Sequence, residues 1–349
     1  MMLDLPLIWA LILAIGVMLY VILDGFDLGV GTLTSRARSD EERNMMTATV
    51  EPVWDGNETW LIIGGGGLFA AFPTAYAILM PAFYLPVLMM LAALIFRGVA
   101  FEFRHKAVRP LTRRFWNGAF FGGSLAAALS QGLMLGAFVQ GVAVEDGAFA
   151  GGPFDWLTPF SLLVAVSVAV GYVLLGACWL YLKTEGPLQE RARGWARLSL
   201  VVLAACFFAV SLATLSVNEQ VVLRWGFSMT HIDPGTLLPL LPVPLAGMVL
   251  VGLLWRMLSR SPADRSGGDW WPYLLAVGIF LSGYLGLAIS LLPFIVPYQV
   301  TIHEAAARDN ALGFMLVGAV IMLPVILAYT AYVYRLFWGK VQPGDGYHD

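Results

Sequence analysis

Nine long apolar segments follow one another along this 349-residue chain. A membrane-spanning helix needs about 20 mostly apolar residues, because the hydrocarbon core is about 30 Å thick and each helical residue advances about 1.5 Å. The segments lie near residues 7–33, 51–72, 79–101, 117–144, 158–182, 198–218, 239–258, 273–296 and 313–336. The pattern predicts an all-α integral membrane protein with nine transmembrane helices.

The composition agrees with that class of protein. Only 12% of the residues are charged, 59% are hydrophobic, and the mean hydropathy is +0.77. Soluble domains have roughly 25% charged residues, so a soluble globular fold is excluded. We expect no nucleic-acid partner. The first segment lacks the basic flank of a signal peptide, and we expect it to remain part of the protein.

The basic residues predict the orientation of the helices. All but three of the 20 Lys and Arg residues lie at or beyond the ends of the odd-numbered segments. The exceptions are Arg97, within the third segment, and Arg224 and Arg308 on the opposite side. Because basic residues accumulate on the cytoplasmic side of a membrane, the N-terminus is predicted outside and the C-terminus inside.

Two pairs of carboxylates interrupt the first two segments. The stretch LDGFDLGVG (23–31) contains Asp24 and Asp27, and WDGNETW (54–60) contains Asp55 and Glu58. Residues three apart lie on the same face of a helix. The predicted orientation puts both pairs in the cytoplasmic third of their helices, so we expect the four acids to lie close together.

The third segment adds Arg97 and Glu102 at the same predicted depth, in IFRGVAFEFR (95–104). A charge inside a membrane costs about 2.5–3.5 kcal/mol on insertion scales, and such groups usually pair or line a path for ions or protons. We expect Arg97 and Glu102 to be charge partners of the acids, although one arginine cannot neutralise five of them. Two interpretations stay open: a proton-uptake cluster, or structural ion pairing and contact with another chain.

The sequence offers no obvious site for a redox cofactor. Histidine is the usual protein ligand of haem, and no histidine lies within a predicted segment. The four histidines are His105, His231, His303 and His348. The two cysteines lie in apolar segments without a metal-binding spacing. We therefore expect neither a cofactor nor a metal in this chain, and any redox centre would belong to a partner.

Six motifs, taken together and in this order, are distinctive. They are GFDLGVG (25–31), WDGNETWL (54–61), LFAAFPTAY (68–76), FRGVAFEFR (96–104), GACWLYLKTEG (176–186) and LPVILAYTAYVYRLFWGKV (323–341). The series resembles subunit II of the cytochrome bd quinol oxidases over essentially the whole chain. The short outer loops resemble the cyanide-insensitive branch of that family.

The resemblance implies two four-helix bundles, in residues 1–150 and 151–297, and a peripheral ninth helix with its tail in residues 298–349. It implies a heterodimer with subunit I, which carries haems b558, b595 and d, in the bacterial cytoplasmic (inner) membrane. The complex would oxidise quinol and reduce O₂ to water with protons from the cytoplasm. The resemblance also allows for a small single-helix subunit and for a quinone or lipid bound to this chain.

The resemblance also assigns roles to individual acids. Asp24 and Asp27 match the DGFD motif, and Asp55 matches the acid of WDGN, which is associated in the family with a proton path. Glu58 departs from the pattern, because relatives often have Gln at this position. An additional acid there could join the proton path or repel Asp55.

Two other classes of protein stay open. A proton-coupled secondary transporter could use the same acids, and its helices are often interrupted near the midplane, as the four glycines at 64–67 would allow. Against this, the acids lie near one face of the membrane. A purely structural partner would support the haem-bearing subunit without conducting protons.

Overall fold

The computed structural model describes residues 3–226, 233–260 and 268–342. His231 and His348 lie outside these residues, as does the side chain of His105. The helices are α1 (Leu5–Leu33), α2 (Asp40–Ala48), α3 (Trp54–Ala71), α4 (Pro73–Ala82), α5 (Tyr84–His105), α6 (Pro110–Gln140), α7 (Pro159–Lys183), α8 (Gly186–Thr214), α9 (Glu219–Arg224), α10 (Pro234–Leu240), α11 (Pro242–Ser259), α12 (Trp271–Leu291), α13 (Ile302–Ala305) and α14 (Asp309–Leu336).

Two short antiparallel hairpins accompany the helices. Strands β1 (Val144–Glu145) and β2 (Ala148–Phe149) form the first, and β3 (Phe294–Val296) and β4 (Val300–Thr301) form the second. Both hairpins lie in connections between long helices. The described chain is therefore mostly helical, as the sequence predicted.

Eight helical stretches in the described residues are long and apolar enough to cross a membrane. They correspond to eight of the nine predicted segments: α1, α5, α6, α7, α8, α10 with α11, α12 and α14. The other predicted segment, 51–72, forms the continuous 18-residue helix α3, which lies outside this set. Its polar first turns and its four glycines at 64–67 make α3 less apolar than the rest.

Several predicted boundaries were wrong. The third segment was predicted from residue 79, but α4 ends at Ala82 and α5 begins at Tyr84. The fourth extended beyond α6, which ends where Gly141 adopts a φ of +87°. The eighth extended beyond α12, because Pro293 disfavours helical geometry in the residue before it. Apolar composition alone did not reveal these breaks.

Helix α1 is the centre of the fold and packs against α3, α6, α7, α12 and α14. Its approach to α7 is the tightest, because a Cβ on Gly29 would overlap the carbonyl of Tyr172, and one on Gly176 would overlap the backbone of Val30. Small residues at a crossing let helix backbones come close together. The glycines of LDGFDLGVG therefore place α1 against α7.

The first turn of α1 is fixed by a cap and by a contact with His303. The Asp4 carboxylate accepts a hydrogen bond from the Leu7 backbone N–H at 3.1 Å, and His303 Nε2 lies 3.1 Å from the same carboxylate. The Leu7 hydrogen bond, followed by the contact with His303, holds the pKa of Asp4 below its usual value. These contacts link the start of α1 to α13.

At the opposite end of the molecule, the connections rich in Lys and Arg lie together. We call this end of the molecule the basic end. There Arg191 of α8 pairs with Glu42 of α2. The Trp179 indole N–H of α7 donates to the Thr49 carbonyl at 3.1 Å. Phe26 of α1 stacks on Trp179 with 4.2 Å between ring centroids. Short side-chain contacts therefore connect both halves of the chain at this end.

Candidate functional site

A fully buried ion pair joins α1 to α5. Arg97 Nη1 donates to Asp24 Oδ1 at 2.7 Å, and Arg97 Nη2 lies 3.7 Å from Asp27 Oδ2. All three side chains are inaccessible to solvent. The two aspartates share a face of α1 because they are three residues apart. The structure thus brings together three of the residues that the sequence selected.

Asn57 of α3 completes this inner cluster. Its Nδ2 donates to Asp27 Oδ2 at 2.8 Å and to the Leu23 carbonyl at 3.3 Å. The Tyr334 hydroxyl of α14 donates to Asn57 Oδ1 at 2.9 Å. Asn57 and Tyr334 were missed in the sequence, where only charged residues were considered. The signal for Asn57 was its position two residues after Asp55, about 200° around the helix, on the side opposite that acid.

The acids of α3 form an outer tier. Asp55 is exposed, whereas Glu58 is half-buried and interacts electrostatically with Arg97 and Asp24. They lie three residues apart on one helix face, one turn after another. Carboxylates therefore extend from the surface of α3 to the buried pair.

Glu102 does not join this cluster, which corrects the expectation from the sequence. Its exposed carboxylate lies 3.5 Å from Lys106 Nζ. Five residues along a helix correspond to about 500°, so Glu102 lies about 140° around α5 from Arg97. Equal depth in the membrane did not imply the same helix face. Arg97 therefore faces three nearby acids rather than five: Asp24, Asp27 and Glu58.

A second polar group lies one helical turn earlier along α1. Gln131 Nε2 of α6 donates to the Tyr20 hydroxyl at 2.8 Å, and the Tyr172 hydroxyl of α7 donates to Gln131 Oε1 at 2.6 Å. Tyr20 is four residues before Asp24, so both lie on the same side of α1. The sequence analysis did not select these residues, because an isolated Tyr or Gln in an apolar helix carries little signal.

Several polar atoms of the inner cluster have no hydrogen-bond partner among the described residues. They include Asp24 Oδ2, Asp27 Oδ1 and Arg97 Nε. Leaving a buried polar atom unpaired costs about 1–3 kcal/mol, and more when the group is charged. Among the described residues, no group of three His, Cys, Asp or Glu side chains could hold a metal ion. Carboxylates and a guanidinium can form ion pairs, and carboxylates can also exchange protons.

A cleft of about 530 Å³ opens at the basic end beside the cluster. Tyr334 and Trp179 form part of its wall, and the C-terminal segment, residues 337–341, lies along it. Lys183 Nζ holds this segment by donating to the carbonyls of Phe337 at 2.6 Å and Gly339 at 2.9 Å. The end of α14 is therefore fastened to the end of α7.

A second lysine fastens the same segment. Lys340 Nζ lies 2.5 Å from Asp269 Oδ2, and Gln189 Nε2 donates to the same oxygen at 3.0 Å. Partial burial would raise the pKa of Asp269, but the hydrogen bond and charge of Lys340 outweigh it and hold that pKa below its usual value. Asp269 is therefore a stable anion at neutral pH.

Together these features define a multi-pass helical membrane protein with an ion-paired acid cluster inside its first helices. The matches to known proteins are specific. The chain belongs to the cytochrome bd terminal oxidase subunit II family, whose model matches residues 5–337. It is thus subunit II of a bd-type oxidase, which is a respiratory oxidoreductase complex.

Relatives and a solved structure agree with this membership. The chain is 31% identical to cytochrome bd-I ubiquinol oxidase subunit 2 of Escherichia coli K12, over 97% of this chain and 95% of the relative. It is 29% identical to cytochrome bd ubiquinol oxidase subunit 2 of Bacillus subtilis, over 96% of each. The fold matches a chain of the bd oxidase structure from Geobacillus thermodenitrificans with a TM-score of 0.73, at 16% identity and over 96% of this chain and 99% of that one.

Proposed function

We propose that this chain carries protons from the cytoplasm towards the oxygen-reducing site of its oxidase, and that it supports the haem-bearing subunit I. The carrying observation is the gradation of burial among its acids: Asp55 is exposed, Glu58 is half-buried, and Asp24 and Asp27 are fully buried against Arg97. Acids that line a path through protein are a recognised means of moving protons across a membrane.

The spacing of these groups suits stepwise transfer. Asp55 and Glu58 are separated by about 4.5 Å along α3, which is within the reach of flexible side chains and water. Glu58 then faces Arg97 and Asp24 electrostatically. The position where relatives often have Gln thus carries the acid that connects the surface to the buried pair. We propose that Glu58 is part of the route in this protein.

The exposed face of α3 that carries Asp55 supports a contact with subunit I. Ile62 and Phe69 are 71% and 61% exposed, and a Cβ on Gly65 or Gly66 would meet no atom within 4 Å. Asp55 lies on this stripe. An acid facing lipid would be costly, whereas a protein partner can cover the stripe and accept the proton. We propose that subunit I covers it.

We also propose the remaining topology. Helix α3 is about 27 Å long and becomes the second of nine transmembrane helices once a partner covers its less apolar face. The bundles are proposed in residues 1–150 and 151–297, with the ninth helix and tail in 298–349. The basic end is placed in the cytoplasm of a bacterium, and the protein in its inner membrane.

The cofactors are assigned to the partner. None of the four histidines lies in a predicted segment, and His303 pairs with Asp4 in the connection before α14. We therefore place haems b558, b595 and d in subunit I, with quinol and O₂ as substrates of the complex. A bound lipid or quinone is proposed for the cleft lined by Tyr334 and Trp179, whose aromatic walls suit such a ligand. A small single-helix subunit stays a prediction.

The test is Asp55→Asn in the assembled oxidase. We expect slower O₂ reduction with unchanged haem spectra, because the amide keeps the shape of the side chain but cannot carry the proton. Asp146→Asn in the β1–β2 hairpin is the matched control, since Asp146 is exposed and Asn tolerates its φ of 49°. Unchanged turnover in Asp55→Asn would remove the proposed route.

The structural-partner interpretation has one observation in its favour, namely that the Asp24–Arg97 pair is fully buried and links two helices. It predicts loss of haem when the chain is deleted, together with normal turnover in every acid variant that assembles. The transporter interpretation loses its main support, because the four glycines at 64–67 lie within the continuous helix α3. Substrate uptake by the purified chain alone would restore it.

A further inference from the structure

We propose that Asp27 is the acid of the inner cluster that takes up and releases the proton, and that Asn57 and Tyr334 are positioning residues that hold its carboxyl group for this exchange. The inference rests on the proposed function. It names the exchanging group among several candidates, and it assigns a role to α14, the helix at the edge of the fold.

The charge balance of the buried cluster requires Asp24 and Asp27 to differ in protonation. Two carboxylates and one guanidinium are fully buried together, so the group carries a net negative charge when both acids are ionised. An uncompensated buried charge is strongly unfavourable. Uptake of one proton removes it. Asp24 is 2.7 Å from the guanidinium and Asp27 is 3.7 Å away, so the proton belongs on Asp27, whose ion pair is the weaker one.

The hydrogen bonds around Asp27 suit both of its charge states. Asn57 Nδ2 donates to Asp27 Oδ2 at 2.8 Å, which stabilises the carboxylate. The other oxygen, Asp27 Oδ1, has no hydrogen-bond partner among the described residues. It can therefore accept a proton without breaking an existing contact. Asp24 Oδ2 likewise has no partner there, so the longer distance to Arg97, rather than the open oxygen, distinguishes Asp27 from Asp24.

The direction of the Asn57 amide is set by its neighbours. Its Nδ2 faces two acceptors, the Leu23 carbonyl and Asp27, so Oδ1 must face the Tyr334 hydroxyl. The hydroxyl then donates to the amide, and the amide donates to the carboxylate. This chain of donors crosses from α14 through α3 to α1. Loss of the Tyr334 hydroxyl would free the amide to rotate away from Asp27.

The amide also determines the side from which the proton comes. An amide side chain does not exchange protons as a carboxyl group does, so Asn57 separates Asp27 from the cleft at Tyr334. The titratable and charged groups that interact electrostatically with Asp27 are Arg97, Asp24, Glu58, Tyr273 and Tyr334. Glu58 is the half-buried acid among them, and it is assigned as the proton source.

The first test is infrared difference spectroscopy of the assembled oxidase between acidic and alkaline buffer. A buried carboxylic acid gives a C=O band that the ionised form lacks. We expect this band in the parent protein, its persistence in Glu58→Gln, and its loss in Asp27→Asn. Persistence of the same band in Asp27→Asn overturns the assignment. Slow turnover in Asp55→Asn alongside that result would leave the proposed route intact and reject only this inference.

The second test is Tyr334→Phe, with Tyr332→Phe as the matched control. Tyr332 lies on the same helix and is 62% exposed, so its hydroxyl takes no part in the cluster. We expect Tyr334→Phe to shift the C=O band and to increase the effect of D₂O on turnover, while the control does neither. Identical behaviour of the two variants overturns the role of Tyr334, even where Asp27→Asn does not assemble. Normal turnover in both Asp55→Asn and Glu58→Gln would instead reject the proposed function itself.

Discussion

Arg97 of α5 donates to Asp24 of α1 across 2.7 Å, and solvent reaches neither side chain. The two residues are 73 positions apart in sequence. Helix α1 precedes α3 along the chain and α5 follows it. A buried pair of this kind contributes little net stability over an apolar pair, yet breaking it leaves a charge without compensation. Its geometry therefore fixes where α1 and α5 can lie, and the predictions below test that dependence.

Arg97→Gln should destabilise the complex severely. It leaves two buried carboxylates without a cation, and removing one partner of a buried ion pair typically costs about 3–5 kcal/mol. Thermal unfolding and haem content of the purified complex measure the effect. Arg114→Gln is the control, because Arg114 is exposed at the start of α6. Equal unfolding temperatures for the two variants would contradict the role given to the pair.

Gly29→Ala should separate α1 from α7. The added methyl group would overlap the Tyr172 carbonyl, and backbone cannot move aside as a flexible side chain can. Overpacking of this kind typically costs about 1–3 kcal/mol. Gly252→Ala of α11 is the matched control, since its Cβ would meet no atom within 4 Å. There the change should be neutral or stabilising, because Ala favours a helix by about 1 kcal/mol over Gly. Thermal unfolding of the two variants measures the difference. A higher unfolding temperature for Gly29→Ala than for Gly252→Ala would refute the packing argument.

Gln131→Leu should destabilise the protein by about 1–3 kcal/mol, because it leaves the hydroxyls of Tyr20 and Tyr172 without their shared partner. Denaturant or thermal unfolding of the complex measures this loss. Gln220→Leu in the exposed helix α9 provides the comparison. The prediction fails if the two substitutions have the same effect.

The contribution of Asp269 should depend on pH. Its pKa is lowered in the folded protein, so the contact with Lys340 stabilises the fold above the ordinary carboxyl value of 3.8. That stabilisation is lost as the pH falls through the lowered folded value. Asp269→Asn should therefore unfold at a lower temperature than the parent at neutral pH, and the difference should shrink in strong acid. A difference that is constant over this range would rule out the ionic contribution.

The sequence by itself determined the class of protein and most of its helices. Long apolar segments must be helical in a membrane, since every backbone N–H and C=O needs a partner there. The motifs around Asp24, Asp27 and Arg97 also identified the family and the buried cluster. This information is local, because hydropathy and motif order depend on neighbours in the chain.

Only the tertiary structure decided which polar groups meet. Glu102 had the right depth but faces away from the cluster, whereas Asn57 and Tyr334 lack a charge and yet contact it directly or through one another. Helix rotation and the close crossing at Gly29 set these pairings, and both depend on packing between segments distant in sequence. Depth follows from where a residue lies along its helix, but contact depends on the direction in which that helix is turned, and this is fixed only when the helices pack together.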